Sequence, residues 1–170
     1  MLVDGKWEGP IVDQHMHLDR ENRFISAAEE FSRSGGTEIF LVHKPSFSKT
    51  LPTDLNGYRE VYRDTIKMAE IVRKKTELKV NVVLGPHPVV WDIQANDIGV
   101  KASSELHISA VGLALDMIEE GDAICLGEVG RPHYSVPEDR WTEANDLLLE
   151  IMRMASSSNS PVQLHVEENG

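Results

Sequence analysis

Cysteine is almost absent from this chain. The single Cys125 leaves no internal disulfide to form and suits a reducing compartment. Long apolar runs are absent as well: no window approaches the roughly 20 residues of a membrane-spanning helix. The opening stretch Met1-Leu2-Val3-Asp4-Gly5-Lys6 shows no secretory leader. No membrane association is therefore expected, and a cytoplasmic location is. Positive charge is scarce, with 17 Lys and Arg against 28 Asp and Glu and a net charge of -11. Such a chain lacks the basic footprint of a general nucleic-acid binder and is repelled by anionic lipid. A phosphate ester as substrate would need positive charge from another source, and a metal ion is the obvious one. Repeats and low-complexity tracts are missing too. The balance of 41% hydrophobic and 26% charged residues is that of an ordinary globular protein. The expectation is a single domain over residues 1–170, long enough to bury a sizeable core.

What the chain does have is alternation. Five β-branched, apolar runs read as strands: Ile11 to Met16, Glu38 to His43, Lys79 to Gly85, Ala123 to Glu128 and Pro161 to Val166. Their lack of polar alternation suits strands covered on both faces. Four stripes at helical spacing lie between them. The first is Phe24, Ala27, Ala28 and Phe31; the second runs from Tyr58 to Val72. The third is Ile108, Val111, Leu115 and Ile118; the fourth is Trp141, Ala144, Leu148, Ile151 and Ala155, opened by Pro137-Glu138. Strictly alternating strands and helices predict an α/β fold with a parallel sheet and right-handed crossovers. Each βα unit takes roughly 38 residues, and eight would need about 280–300, a normal size for a (β/α)8 TIM-type barrel. The chain would then supply about the first five strands; the alternative is an open sheet. Taken as a strict 170-residue unit, a five-stranded piece leaves two apolar edges. It is expected to aggregate or to pair, for instance as a homo-oligomer.

Histidine is concentrated where such folds keep their chemistry. Of the seven histidines, His15, His17, His43, His87 and His165 fall at or just past the carboxyl ends of predicted strands. His133 follows the fourth strand closely, and His107 sits on a helix, where it is expected to face solvent. In Asp13-Gln14-His15-Met16-His17 the two imidazoles stand two residues apart on a strand, so both can turn toward one ion. Glu128 ends the otherwise apolar Ala123-Ile124-Cys125-Leu126-Gly127, and a carboxylate buried there needs a partner or a metal. His165 closes Val162-Gln163-Leu164 in the same way. Together His15, His17, Glu128 and His165 make a ligand set for one or two divalent cations. Donors without thiolate suit Zn, Mn or Fe and leave Mg open.

The ordered set Asp13-Gln14-His15-Met16-His17, Gly85-Pro86-His87-Pro88, Gly127-Glu128-Val129-Gly130 and Gln163-Leu164-His165-Val166 resembles the TatD-type metal-dependent hydrolases. That family belongs to the amidohydrolase-like (β/α)8 barrels, and the resemblance covers nearly the whole chain. It implies metal binding by His15, His17, Glu128 and His165, and a place for His87 on the substrate side. It also implies a sixth-strand His and an eighth-strand Asp, and neither segment falls within these 170 residues. After Gly130 the family usually continues Leu-Asp, whereas Arg131-Pro132-His133-Tyr134 stands here. This marks a divergent, archaeal-type branch and bears on substrate choice.

The implied activity is hydrolysis of an ester by a metal-activated water, with a phosphodiester as the substrate class, as in a deoxyribonuclease. Glu128 and His87 are the expected catalytic residues, and His87, Arg131 and His133 the expected substrate contacts. A small amide, lactone or phosphoester is the alternative substrate, favoured if Trp91 and Tyr134 enclose a pocket. A non-catalytic metal-binding fragment is the third reading. Lesser expectations complete the set. His43, Lys44, Glu167 and Glu168 are possible pocket or metal neighbours, Cys125 a packing residue, and Arg73-Lys74-Lys75 a helix end complementing its dipole.

Overall fold

Val, Ile and Leu runs become strands here because a pleated surface accommodates branched side chains, with the three middle strands of the main sheet the most deeply buried. The computed structural model describes residues 2–47 and 50–166. A short antiparallel hairpin, β1 (Leu2–Val3) with β2 (Lys6–Trp7), precedes the main fold. Then follow β3 (Val12–Met16), α1 (Phe24–Arg33), β4 (Glu38–Val42), α2 (Leu55–Lys75) and β5 (Lys79–Leu84). The chain continues with α3 (Pro88–Ile98), α4 (Val100–Glu119), β6 (Cys125–Gly130), α5 (Glu138–Ser157) and β7 (Val162–His165). The five long strands lie side by side in chain order, all parallel, as in the first part of a (β/α)8 barrel. The sheet is curled. The Gln163 side-chain amide of β7 donates to the Gln14 carbonyl of β3 at 2.7 Å, so the first and last of these strands meet across the interior.

The core lies between this sheet and the helices. Ile39, Leu41, Leu84 and Leu126 from the strands pack with Tyr58, Tyr62, Trp91 and Ile151 from the helices, all essentially buried. Two glycines set how closely strands approach at the functional end. A Cβ on Gly85 would lie 2.9 Å from the Gly127 backbone, and one on Gly130 would lie 2.3 Å from the His165 carbonyl oxygen. Both glycines are therefore required for β5, β6 and β7 to bring their ends together. At α2 the Asp54 carboxylate caps the helix by accepting from the Gly57 N–H at 2.8 Å. Arg73, Lys74 and Lys75 fill its last turn, as expected, and the Arg73 guanidinium also donates to the Val80 carbonyl at 2.6 Å.

Three expectations need correction. The third crossover contains two helices, because Gly99 at φ 87° separates α3 from α4. α3 shows no apolar stripe since Pro88, Val90, Trp91, Asp92, Gln94 and Ala95 are buried around much of its circumference. His107 does not face solvent. It is fully buried on the face of α4 that also carries Ser103, Ala110, Val111 and Ala114, at helical spacing. Trp91 does not enclose a pocket with Tyr134; it is buried between α3 and α4 and donates its indole N–H to Ser104 Oγ at 3.0 Å. Among the described residues, no helix is long and apolar enough to cross a membrane.

Candidate metal centre

The carboxyl ends of β3, β5, β6 and β7 converge on Glu128. On β3 the Asp13 side chain accepts from the His15 backbone N–H at 2.9 Å and shapes the turn that exposes both imidazoles. The two Nε2 atoms lie 3.1 Å apart, with the rings edge to face. From Glu128 Oε2 they are 3.5 Å (His15) and 3.8 Å (His17). On the other side, His165 Nδ1 contacts Glu128 Oε1 closely, and His87 Nε2 lies 3.8 Å from Oε2. Two donor groups result, His15–His17–Glu128 and His87–Glu128–His165, each with its ligand atoms within 4.8 Å of one another. Glu128 belongs to both.

The donor chemistry fits a divalent cation, and the hydrogen bonds show which nitrogens can serve. His17 Nδ1 lies 3.1 Å from the Val42 carbonyl, which can only accept, so Nδ1 carries the proton and Nε2 offers its lone pair to the cluster. His87 is set the opposite way. It is the N-cap of α3, and its Nδ1 accepts the Val89 backbone N–H at 3.1 Å. A neutral His87 therefore carries its proton on Nε2, the nitrogen that faces Glu128. It is placed among the ligands but presents a donor, so His15, His17, Glu128 and His165 are the better fit to an ion. Burial pulls the His87 imidazole down to about 4, against the opposing pull of Glu128, and keeps it neutral near pH 7. Burial lowers His17 as well, only partly offset by its bond to Val42. For Glu128, burial pushes the carboxyl up. The His165 hydrogen bond and the surrounding imidazoles of His87, His165 and His15 outweigh it, and the net shift is downward.

His133 joins this group. Its Nδ1 is 2.8 Å from His165 Nε2, and its ring stacks at an angle on His165. The loop carrying it is held from α3 by a polar set, centred on the buried Asp92, that sequence reasoning missed. Tyr134 donates its hydroxyl to Asp92 Oδ2 at 2.6 Å, and Arg140 Nη1 meets Asp92 Oδ1 at 2.6 Å. Burial, together with the Asp92 carboxylate, pushes the Tyr134 phenol up. A polar Asp92 within the apolar Val89-Val90-Trp91-Asp92-Ile93 was the available signal. Arg131 turns elsewhere, over the Trp141 ring at 4.6 Å with a bond to Asn145 Oδ1 at 2.9 Å. Lys44 pairs with Asp19 on the surface at 3.3 Å. Cys125 is packed against Val42 and Val83, as expected. Glu167 and Glu168 lie outside the described residues.

Comparisons with known proteins bear on the chain's fold and family. An uncharacterized protein from Methanocaldococcus jannaschii is 28% identical over 163 residues, covering 94% of this chain and 56% of its own length. The crystal structure of an uncharacterized amidohydrolase from Saccharomyces cerevisiae superposes with a TM-score of 0.58 at 14% identity, over 94% of this chain and 49% of that one. The chain thus spans about half the length of both proteins, and at that identity the yeast structure speaks for the fold alone. The family model for TatD related DNase matches residues 12–169. That match takes in β3 through β7 and all of the clustered histidines, and the chain belongs to the TatD related DNase family.

Proposed function

We propose that this protein is a metal-dependent hydrolase of ester bonds, with a phosphodiester as its substrate class. The observation that carries the reading is Glu128, only 7% exposed and shared between two sets of imidazoles at the sheet's carboxyl edge. His15 and His17 offer Nε2, and Glu128 holds the centre. His165 would offer Nδ1 once an ion displaces the proton it shares with Glu128, and its Nε2 would then be free to donate to His133 Nδ1. A divalent ion bound there supplies Lewis acidity, acidifying a water and polarising the ester oxygen. Zn, Mn and Fe suit these donors, and Mg is the further candidate. His87 keeps its Nε2–H directed into the site as a neutral hydrogen-bond donor for a substrate oxygen, the role that a helix N-cap tautomer suits. His133 stands close enough to touch substrate as well, whereas Arg131 is engaged with α5 and contributes through that packing. The substrate, whether a nucleic-acid or a small-molecule phosphodiester, has no basic surface to gather it and depends on the ion and the pocket. The setting is cytoplasmic.

Hydrolysis of bis(p-nitrophenyl) phosphate with added Zn, Mn, Fe or Mg tests this. Glu128→Ala is expected to lower turnover on the order of a thousandfold and to strip bound metal on dialysis. Metal that stays bound in the wild type without any turnover of phosphate, amide or lactone substrates would leave only a binding module.

A further inference from the structure

Beside the metal cluster lies a cavity of about 170 Å³ that the chemistry above does not use. It sits under the connection between β4 and α2, walled by Leu51, Tyr58, Val61, Met68 and Val90, with His43 in its lining and His87 between it and Glu128. Its size is informative. An apolar cavity of roughly 150 Å³ holds one benzene ring, while drug-sized ligands need about 300 Å³ or more. One ring fits; two do not.

The wall is polar on one side, where Lys44, Ser46, Asp64 and Thr65 join His43, and His43 is its buried imidazole. It is 6% exposed, and its ring packs edge to face on Tyr62. Its Nδ1 lies 3.0 Å from Thr65 Oγ1, and that hydroxyl donates its only proton to the Val61 carbonyl one helical turn back, at 3.1 Å. The hydroxyl lone pair must then accept from His43 Nδ1–H. Nε2 is then the ring's acceptor nitrogen. Burial drops this imidazole to about 3, so it stays an acceptor across the physiological range. The groups facing it are His17 and His87, both neutral by the tautomers above, and Asp64 on α2. A ligand N–H or O–H that enters the cavity can therefore donate to this acceptor.

We infer that this cavity is the substrate's ring subsite: it takes a single planar ring bearing an N–H or O–H donor, which His43 Nε2 accepts while the scissile ester reaches Glu128 past His87. The inference rests on the hydrolase reading for its second half only. A pyrimidine base and a phenol share the required chemistry. The first would make the substrate a nucleotide ester, the second an aryl ester.

Ring binding to the metal-free protein tests the subsite without any turnover. Uracil, phenol and toluene are titrated while histidine 15N signals are followed. Uracil or phenol is expected to bind on the order of 1 mM, with toluene about tenfold weaker for want of a donor. Whichever of uracil and phenol binds more tightly identifies the ring's source. His43→Phe is expected to erase the advantage over toluene, and His43→Gln, which keeps an acceptor, to restore part of it. Val61→Phe, which fills the space, is expected to abolish binding of all three with circular dichroism unchanged. The subsite is refuted if no ring binds up to about 20 mM, if toluene equals uracil and phenol, or if binding survives Val61→Phe. Glu128→Gln separates the two claims: it is expected to keep ring binding and lose hydrolysis. Hydrolysis without ring binding overturns the subsite alone, and ring binding without hydrolysis overturns the hydrolase reading alone.

Discussion

β6 and β3 both feed the candidate metal cluster, yet they live in different environments. All six residues of β6 are buried, and Glu128 reaches the cluster from inside the core. On β3 the pattern is largely exposed, with Val12, Gln14, His15 and His17 open to solvent. β7 resembles β3, since Leu164 is exposed while His165 is only partly covered. The donors from β3 are therefore mounted on a rim, and the carboxylate from β6 on the core. Function and stability should separate on the rim and coincide at the centre.

The widest predicted gap in stability comes from the polar set behind the centre. Asp92→Ala removes the carboxylate partner of the largely buried Arg140, which keeps only the residue-92 carbonyl and Asn96, and releases Tyr134; a loss of about 3 kcal/mol is expected by urea unfolding. A loss below about 1 kcal/mol would show the pair to be solvent-screened and of no structural weight. Gly130→Ala comes next. Its Cβ would strike the His165 carbonyl, so β7 must shift; about 1–3 kcal/mol of stability should be lost together with part of the metal affinity. Unchanged metal content in that variant would detach β7 from the site.

Acid unfolding probes the interior directly. Burial, with a smaller contribution from His87, holds His107 near 3 against an ordinary 6.5. Between those values the unfolded chain takes up a proton that the folded chain does not. The stability that His107 permits is thus complete above pH 6.5 and is lost as the pH falls toward 3. His107→Leu should move the acid midpoint to lower pH in a circular dichroism titration. Near pH 7 it should cost little, because neither ring nitrogen has a partner among the described residues. A midpoint that does not move would assign the acid transition to other groups. The smallest expected change in stability belongs to the rim: His15→Ala with His17→Ala should shift unfolding by less than about 1 kcal/mol while most bound metal is lost on elemental analysis. Full metal content with an intact fold would remove both histidines from the ligand set.

Much of this was legible in the residues. All five long strands were located to within a residue or two at most of their ends, since branched apolar runs bounded by turns have few other uses. The convergence of His15, His17, Glu128 and His165 was readable from strand-end placement, and their proximity in space agrees. α3 was not legible, because a helix buried on most sides loses the stripe by which helices are recognised. His107 was misjudged for a related reason. The apolar stripe through Ile108 and Ile118 lies beside the most buried face of α4, where Ser103 and His107 sit among alanines. The hairpin β1–β2 is too short to leave a periodic signal.

The sequence by itself determined what repeats or lies close along the chain: strand and helix order, the parallel architecture, the donor types and the edge on which they gather. Only the tertiary structure decided which nitrogen of each histidine faces the site. That choice belongs to partners from other elements or from the next turn of chain: the Val42 carbonyl for His17, the Val89 N–H for His87, and the Thr65 hydroxyl for His43. An imidazole has two nearly equivalent tautomers, and no local rule along a sequence distinguishes them. A single hydrogen bond worth about 1 kcal/mol does, once packing has brought its other half within 3 Å or so.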